Sequence, residues 1–266
     1  MKSAHALSLL VVALAVVVIL SGAYITSLEV VARQSQSSAD PNELAHRVLG
    51  GALMLLAIGL AIRIPSNAKF GRRLGWIGVG MLALMVAAGW RGTPLSPGLG
   101  VLHALLAHLF FVTAVVIAVM TSDRWNRPAE LTDVRRRFLR PLAAATPPVV
   151  FAQITLGALY RHNVIGIMLH VAVAMAVALL TLILSSVVLQ NYPRPVSLRR
   201  SAATLIAVVL VQVSLGIASL VMLLLNVSAT SYFIAATTAH VAVGAATLAA
   251  SIVMAMEVWR SAPAWS

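Results

Sequence analysis

The feature that most constrains this chain is a series of eight apolar runs, separated by short charged or Pro/Gly/Ser-rich breaks. Each run is about 20 residues long, the length at which a helix crosses the roughly 30 Å hydrocarbon core of a bilayer. Because lipid offers the backbone no hydrogen-bond partner, each run is expected to be helical. The predicted spans are 6–28, 43–63, 74–91, 100–121, 139–160, 164–190, 201–225 and 231–257.

Composition supports the same class. Charged residues make up 10% of the chain and hydrophobic residues 61%, with a mean hydropathy of +0.97, whereas soluble chains carry about 25% charged residues. We therefore predict an all-α polytopic membrane protein. The first run follows Lys2 and is longer than the apolar core of a signal peptide, so we expect a retained helix. The sequence contains no cysteine, which excludes disulfides, thiolate metal sites and thiol catalysis.

The basic residues predict the orientation. Of the 19 Lys and Arg residues, 15 lie at the termini or in the even-numbered connections, and the other side holds only Arg33, Arg47, Arg91 and Arg161. By the positive-inside rule, both termini are cytoplasmic, in the inner or plasma membrane of the cell. The net charge of +12 is thus a topology signal. Membrane lipid is an expected partner, and nucleic acid is not.

The longest connection divides the predicted helices into two sets of four. We predict an N-terminal four-helix half over residues 1–121, a basic cytoplasmic linker over 122–138 and a C-terminal four-helix half over 139–266. The two halves are expected to form pseudo-symmetric four-helix bundles.

Four histidines recur at one depth, near the outer end of each even-numbered helix. They are His46, His103, His170 and His240. The residue four positions after each is small: Gly50, Ala107, Ala174 and Gly244. Each preceding odd-numbered helix carries a glycine, which gives four Gly-then-His hairpins: Gly22, Gly89, Gly157 and Gly216. Gln153 and Gln212 each lie four residues before their glycine. Small residues also allow close helix packing, and an intramembrane histidine can instead bond a neighbouring helix.

The ligand that best suits these histidines is haem. Zinc prefers a tetrahedral set with carboxylate or thiolate help, whereas two imidazoles facing each other across a four-helix bundle suit the axial positions of haem iron. The sequence therefore predicts two potential haem sites near the outer face, His46 with His103 and His170 with His240. His108 lies roughly 140° round the helix from His103 and is expected to pack or hydrogen-bond.

Charges on the outer side are few, so those near the histidines are informative. Glu43 precedes His46 by three residues and shares its helical face. Arg47, Arg91 and Arg161 are candidate bidentate partners for haem propionates. Dipole stabilisation of Glu43 at a helix start and snorkelling of Arg47 would also explain these positions.

These residues also resemble a known family. Glu43-Leu44-Ala45-His46-Arg47 resembles the Glu-x-x-His-Arg motif of the haem A synthase family. Gln153-x-x-x-Gly157, followed by Arg161 and His170, is similar to the fifth and sixth helices of that family. The resemblance covers nearly the whole chain, with a histidine near the outer end of each even-numbered helix. One departure is the first outer loop, Ser27–Asp40, which lacks the cysteine pair and the Gly-rich, Trp/Pro-containing stretch of many members.

The resemblance implies a membrane oxidoreductase that oxidises the C8 methyl group of haem O to the formyl group of haem A, for cytochrome oxidase assembly. It implies that His170 and His240 bind a haem b cofactor, that His46 and His103 bind the substrate haem, and that Glu43 is the catalytic acid residue at the reacting methyl. Implied partners are haem O, the enzyme that produces it and a membrane electron donor; a homo-oligomer is possible.

Two other functions fit the same sequence. A di-haem b-type electron-transfer protein would use the four histidines without needing Glu43. A transporter would use the two-half architecture, but the charged residues lie near the helix ends and not at the midplane, which argues against it.

Overall fold

The computed structural model describes residues 2–31, 41–89, 95–125, 136–192, 196–227 and 230–260, and within these ranges every regular element is an α-helix. There are eight: α1 (Lys2–Val31), α2 (Pro41–Arg63), α3 (Lys69–Gly89), α4 (Pro97–Thr121), α5 (Arg136–Arg161), α6 (Ile167–Asn191), α7 (Val196–Leu224) and α8 (Ser231–Arg260). All eight are long and apolar enough to cross a membrane, which confirms the eight predicted spans and the all-α class.

The outside of these helices is apolar. In the most apolar stretch of α7 the mean hydropathy is 2.5, yet only 11% of it is buried within the protein. Large side chains such as Met168 and Met175 on α6 are about three-quarters exposed, at 75% and 74%. Water would penalise such extensive apolar exposure, whereas a lipid environment does not.

The described chain divides into two compact units, and each is considered by itself. Unit 1 consists of Met1–Ser122 and Ser214–Ala245, and unit 2 of Asp123–Val213 and Ala246–Ser266. Both α7 and α8 therefore contribute one part to each unit. The predicted linker lies mostly in residues 126–135, outside the described residues. The division into two pseudo-symmetric halves and the cytoplasmic position of both termini stay predictions.

Unit 1 contains a closed four-helix arrangement. Helix α1 packs against α2 and α4, and α3 packs against the same two helices. The contact between α2 and α3 is close because Gly75 faces the backbone of Ala61, where an added Cβ would lie 3.1 Å from the Ala61 Cα. Close approach through small residues is the usual basis of helix association in lipid. This bundle sets the positions of the histidines on α2 and α4.

Unit 2 has a dense core to which α5, α6, α7 and α8 all contribute. It includes Leu139, Leu184, Leu205 and Met254, each at most 2% exposed. Beside this core, Glu257 is buried and accepts a hydrogen bond from Arg260 at 2.7 Å. Removing either partner of a buried ion pair is costly, so this pair fixes the end of α8 beside the core.

The helices that precede the two later histidine helices end in the same way. Asn163 after α5 and Asn226 after α7 adopt left-handed backbone conformations, with φ of 59° and 56°. At each end the next amide bonds a carbonyl five residues earlier, Val164 N to Leu159 O at 2.8 Å and Val227 N to Met222 O at 3.0 Å. This is the Schellman motif, in which asparagine tolerates the left-handed conformation that ends the helix.

Candidate functional site

The imidazoles of His46 on α2 and His103 on α4 face each other in unit 1. Their ring centroids are 6.2 Å apart, and the ring planes are inclined by 52°. An imidazole nitrogen lies about 2 Å from a bound metal ion and about 1 Å from its ring centre, so two axial imidazoles on one iron have ring centres about 6 Å apart. Each ring can turn about its own metal–nitrogen bond, so the inclination is compatible with axial ligation. The spacing therefore fits two ligands of one iron.

The hydrogen bonds of His46 leave the metal-binding nitrogen available. Ser21 Oγ on α1 lies 2.8 Å from His46 Nδ1 and donates its own proton to the Val18 carbonyl at 2.9 Å. Ser21 Oγ must then accept from Nδ1–H, and the Val18 carbonyl also interacts with this imidazole. With the proton on Nδ1, the lone pair is on Nε2. A second residue that fixes the tautomer in this way is typical of metal-ligating histidines.

His103 carries an unsatisfied ring nitrogen. Its Nδ1 is buried and makes no hydrogen bond of normal geometry, although the Met85 backbone acts electrostatically on the ring. A buried polar atom without a partner is uncommon and requires an explanation. A ligand that fills the space beside this ring would supply one.

In three of the four predicted Gly-then-His hairpins the glycine lies directly against the imidazole. A Cβ added at Gly22, Gly157 or Gly216 would lie 3.0–3.1 Å from Cε1 of His46, His170 or His240, respectively. Each imidazole thus rests directly on a glycine of the preceding helix. The fourth pair differs, since a Cβ at Gly89 would meet nothing within 4 Å, so Gly89 does not support His103.

In unit 2, His170 is held by the side-chain amide of Gln153. Gln153 Nε2 donates to the His170 carbonyl at 2.8 Å and lies 3.0 Å from His170 Nδ1. Because a carbonyl only accepts, the amide nitrogen faces His170. The imidazole also bonds the Gln153 backbone, so Gln153 holds this ring through both its side chain and its main chain. Gln153 Oε1 is buried without a hydrogen-bond partner.

His240 belongs to unit 1, where it rests on Gly216, and His170 belongs to unit 2. Their pairing across one haem stays a prediction. Each nevertheless has the features of a ligand: a partly buried imidazole in a fixed position, seated on a glycine that leaves no room for a side chain.

The acidic and basic residues at the start of α2 form an ion pair. Arg47 Nη2 lies 2.5 Å from Glu43 Oε1 and 3.5 Å from the Gly89 carbonyl at the end of α3. Both charged groups act electrostatically on His46. The arrangement brings a carboxylate and a guanidinium to the same end of the bundle as the facing imidazoles.

The remaining predicted residues are accounted for as follows. Arg161 is half-buried in the last turn of α5, and Arg91 lies outside the described residues, as does most of the first outer loop.

His108 is buried, and its Nδ1 donates to the Ala104 carbonyl at 2.7 Å, which confirms a packing and hydrogen-bonding role. The sequence pattern pointed to Gln153 but not to Ser21. The position of Ser21, one residue before Gly22, could have indicated that it bonds His46.

The surface one turn after His46 is open. A Cβ added at Gly50, four residues after His46, would meet nothing within 4 Å. Among the described residues, no group of three or more His, Cys, Asp or Glu side chains could hold a metal ion. A haem requires only two protein ligands because the porphyrin supplies the other four, so a pair is sufficient.

Comparisons with known proteins identify no family for this chain. No model of a protein family matches the chain, and no curated protein matches it. The fold defines a protein with eight helices able to span a membrane, and its function must be argued from the site.

Proposed function

We propose that this chain is a haem A synthase-like membrane oxidoreductase, which oxidises the C8 methyl group of haem O to a formyl group. The observation that carries the proposal is the facing pair His46 and His103, with ring centroids 6.2 Å apart and Glu43 three residues before His46. The Glu43 carboxylate is therefore about one helical turn from His46, the residue that would bind the porphyrin iron.

In this proposal His46 and His103 hold the substrate haem O, and Glu43 acts at the reacting methyl. Oxidation of a methyl to a formyl group is a four-electron oxidation that adds one oxygen atom, because CH3 + H2O gives CHO + 4 H+ + 4 e−. We propose that molecular oxygen takes up these electrons and protons and is reduced to water. An electron-poor carbon develops as the electrons leave the methyl group. A carboxylate can stabilise that carbon or take a proton from attacking water. Arg47, Arg91 and Arg161 are proposed to bind propionates, for which a guanidinium offers paired donors.

His170 and His240 are proposed to hold the resident cofactor, haem b. When bound, haem b passes electrons between a membrane electron donor and the substrate side. Gln153 would orient His170 as an iron ligand, because its side-chain nitrogen lies 3.0 Å from His170 Nδ1 and donates to the His170 carbonyl at 2.8 Å.

The distribution of Lys and Arg supports a location for the proposed sites. The haem sites are proposed to lie near the outer face of the inner or plasma membrane, because Lys and Arg are concentrated at the opposite helix ends. Haem O would arrive through the membrane from the enzyme that produces it.

The direct test is product formation. The full chain is expressed with a source of haem O, and extracted haems are separated by chromatography. Appearance of haem A is expected, and the purified protein should contain haem b by pyridine haemochrome analysis. Bound haem without any haem A would contradict the proposed reaction.

A second function is favoured by one observation. Glu43 is engaged in an ion pair with Arg47, so the motif could serve structure alone in a di-haem b-type electron-transfer protein. That protein would retain haem b at both histidine pairs and leave every haem chemically unchanged. The haem inventory of the purified protein separates the two functions.

Ser21 offers a prediction about positioning. Ser21→Ala removes the acceptor for His46 Nδ1–H, so the imidazole loses its fixed tautomer and orientation. We expect the KM for haem O to rise about 10–100-fold, the usual effect of losing such a supporting residue, with a smaller change in kcat. Ser21→Thr should restore the wild-type KM.

The matched control is Ser27→Ala, because Ser27 lies on the same helix and bonds Thr237. Equal KM changes in both alanine variants would exclude the orienting role.

Gly157 offers a second prediction. In Gly157→Ala the new methyl would lie 3.0 Å from His170 Cε1, which is too close, so the imidazole must shift. We expect the haem b affinity to fall on the order of tenfold, measured as haem retained per protein during dilution. Gly89→Ala is the control, since its added methyl meets nothing within 4 Å. Unchanged haem retention in Gly157→Ala would show that His170 does not depend on this seat.

A further inference from the structure

A shallow cavity, open to the surroundings, lies at the start of α3, which follows the end of α2 opposite to His46. It has a volume of about 590 Å³ and is lined by Ser66, Lys69, Arg72, Arg73, Trp76 and Ile77. The proposed oxidation of haem O does not use this cavity.

The positive side chains at this cavity share one helix face. Lys69, Arg72, Arg73 and Trp76 are spaced three, four and seven residues from the first, so they lie on one side of α3. The opposite side, with Gly71, Gly75 and Gly78, is buried against neighbouring helices. The basic side chains are exposed and form no ion pair with a carboxylate in the described part of the chain. Three unpaired cations at one opening favour an anion.

The same face continues as an apolar groove. Trp76 and Ile77 are 46% and 51% exposed, and Leu84, two turns further along, is 61% exposed. Between them, a Cβ added at Gly80 would meet nothing within 4 Å, which leaves a gap in the surface. Since α3 is one of the eight helices able to span a membrane, the basic residues are at headgroup depth and the gap is at acyl-chain depth.

We propose that this cavity is a binding site for an anionic phospholipid. Lys69, Arg72 and Arg73 bind the phosphate, Ser66 offers a hydroxyl to the headgroup, and an acyl chain follows Trp76 and Gly80. A soluble phosphate compound would use the cations but leave the apolar groove empty, so the continuous basic and apolar surface favours a lipid. Positive residues next to a membrane helix attract anionic lipids at about fivefold in affinity for each charge.

The test measures lipid retention by the full-length protein. Native mass spectrometry compares phosphatidylglycerol with phosphatidylcholine, added to the detergent-purified protein. Lys69→Gln/Arg72→Gln/Arg73→Gln should bind phosphatidylglycerol on the order of 100-fold more weakly and phosphatidylcholine as before. The control Lys2→Gln/Arg124→Gln/Arg200→Gln removes the same charge from exposed positions outside the cavity and should retain wild-type binding. Equal loss in both variants would show general charge attraction and overturn the site, as would wild-type binding in the first.

A second measurement tests the acyl-chain path. In phosphatidylcholine vesicles, brominated phosphatidylglycerol at low content should quench Trp76 more than brominated phosphatidylcholine does, with the Trp76 signal taken as the difference between wild type and Trp76→Phe. Equal quenching by the two lipids would contradict the groove. Displacement of bound phosphatidylglycerol by soluble glycerol phosphate would overturn the lipid assignment in favour of a phosphate site. Neither measurement depends on haem.

Discussion

Glu43→Gln is expected to abolish haem A formation while leaving haem binding intact. The amide keeps the size of the side chain but can neither carry negative charge beside an electron-poor carbon nor accept a proton from water. Loss of a positioned acid or base costs about 10²–10⁴-fold in rate, which would put haem A below detection in a chromatographic assay. The measurement is the haem A to haem O ratio in extracts, with the haem b content of the purified protein recorded in parallel.

Unfolding cannot account for such a loss. The side chains of Arg47 and Glu43 are 47% and 21% exposed, and an exposed ion pair between residues four apart contributes less than about 1 kcal/mol to stability. Arg47→Gln is the matched control because it breaks the same pair but keeps the carboxylate. It should weaken haem O binding and still form haem A. If Arg47→Gln lost as much activity as Glu43→Gln, the ion pair and not the carboxylate would be the functional unit, and full activity of Glu43→Gln would remove Glu43 from the mechanism.

The fold was predictable because lipid simplifies the problem. Where the backbone must satisfy its own hydrogen bonds, an apolar run of sufficient length has one outcome, and all eight runs are helices. The helix ends were less predictable. Helix α5 begins at Arg136, three residues before the predicted span, and continues through Pro141, Pro147 and Pro148. Hydropathy does not fix the last turns of a helix, and prolines are tolerated in membrane helices because neighbouring groups satisfy the freed carbonyls.

The glycine and histidine pattern predicted contacts correctly in part. At Gly22, Gly157 and Gly216 a missing side chain makes room for an imidazole, whereas the sequence indicated only that a glycine and a histidine recur on successive helices. Gly89 has the same spacing but no contact with His103. Sequence separation fixes the turn of each helix on which a residue lies but not the rotation of neighbouring helices, so the exception could not be foreseen.

Polar partners were the least predictable part of the site. The bond from His46 Nδ1 to Ser21 and the contact of the Gln153 side chain with His170 depend on how far neighbouring helices are rotated, which sequence spacing does not determine. Glu257 was also overlooked, since an acid near a helix end resembles a solvated residue until its neighbours are known. In the structure it is 5% exposed and paired with Arg260.

The histidines provide the second prediction with a large expected effect. Under the proposed assignment, His170→Ala or His240→Ala should remove the low-spin bis-histidine haem b spectrum from the purified protein, because a five-coordinate iron has a different absorption and paramagnetic signature. His46→Ala should keep that spectrum and lower haem A formation on the order of 100-fold or more, since the substrate is no longer held in place.

His5 provides the control for these histidine variants. His5→Gln changes a histidine on α1 that bonds the Ala118 carbonyl and is expected to affect neither spectrum nor product. If His46→Ala removed the purified cofactor and His170→Ala spared it, the roles of the two pairs would be exchanged, and Ser21 would orient a ligand of the resident haem. If no histidine variant altered the spectrum, the 6.2 Å spacing of His46 and His103 would reflect helix packing alone, and the proposed oxidation of haem O would lose the observation that carries it.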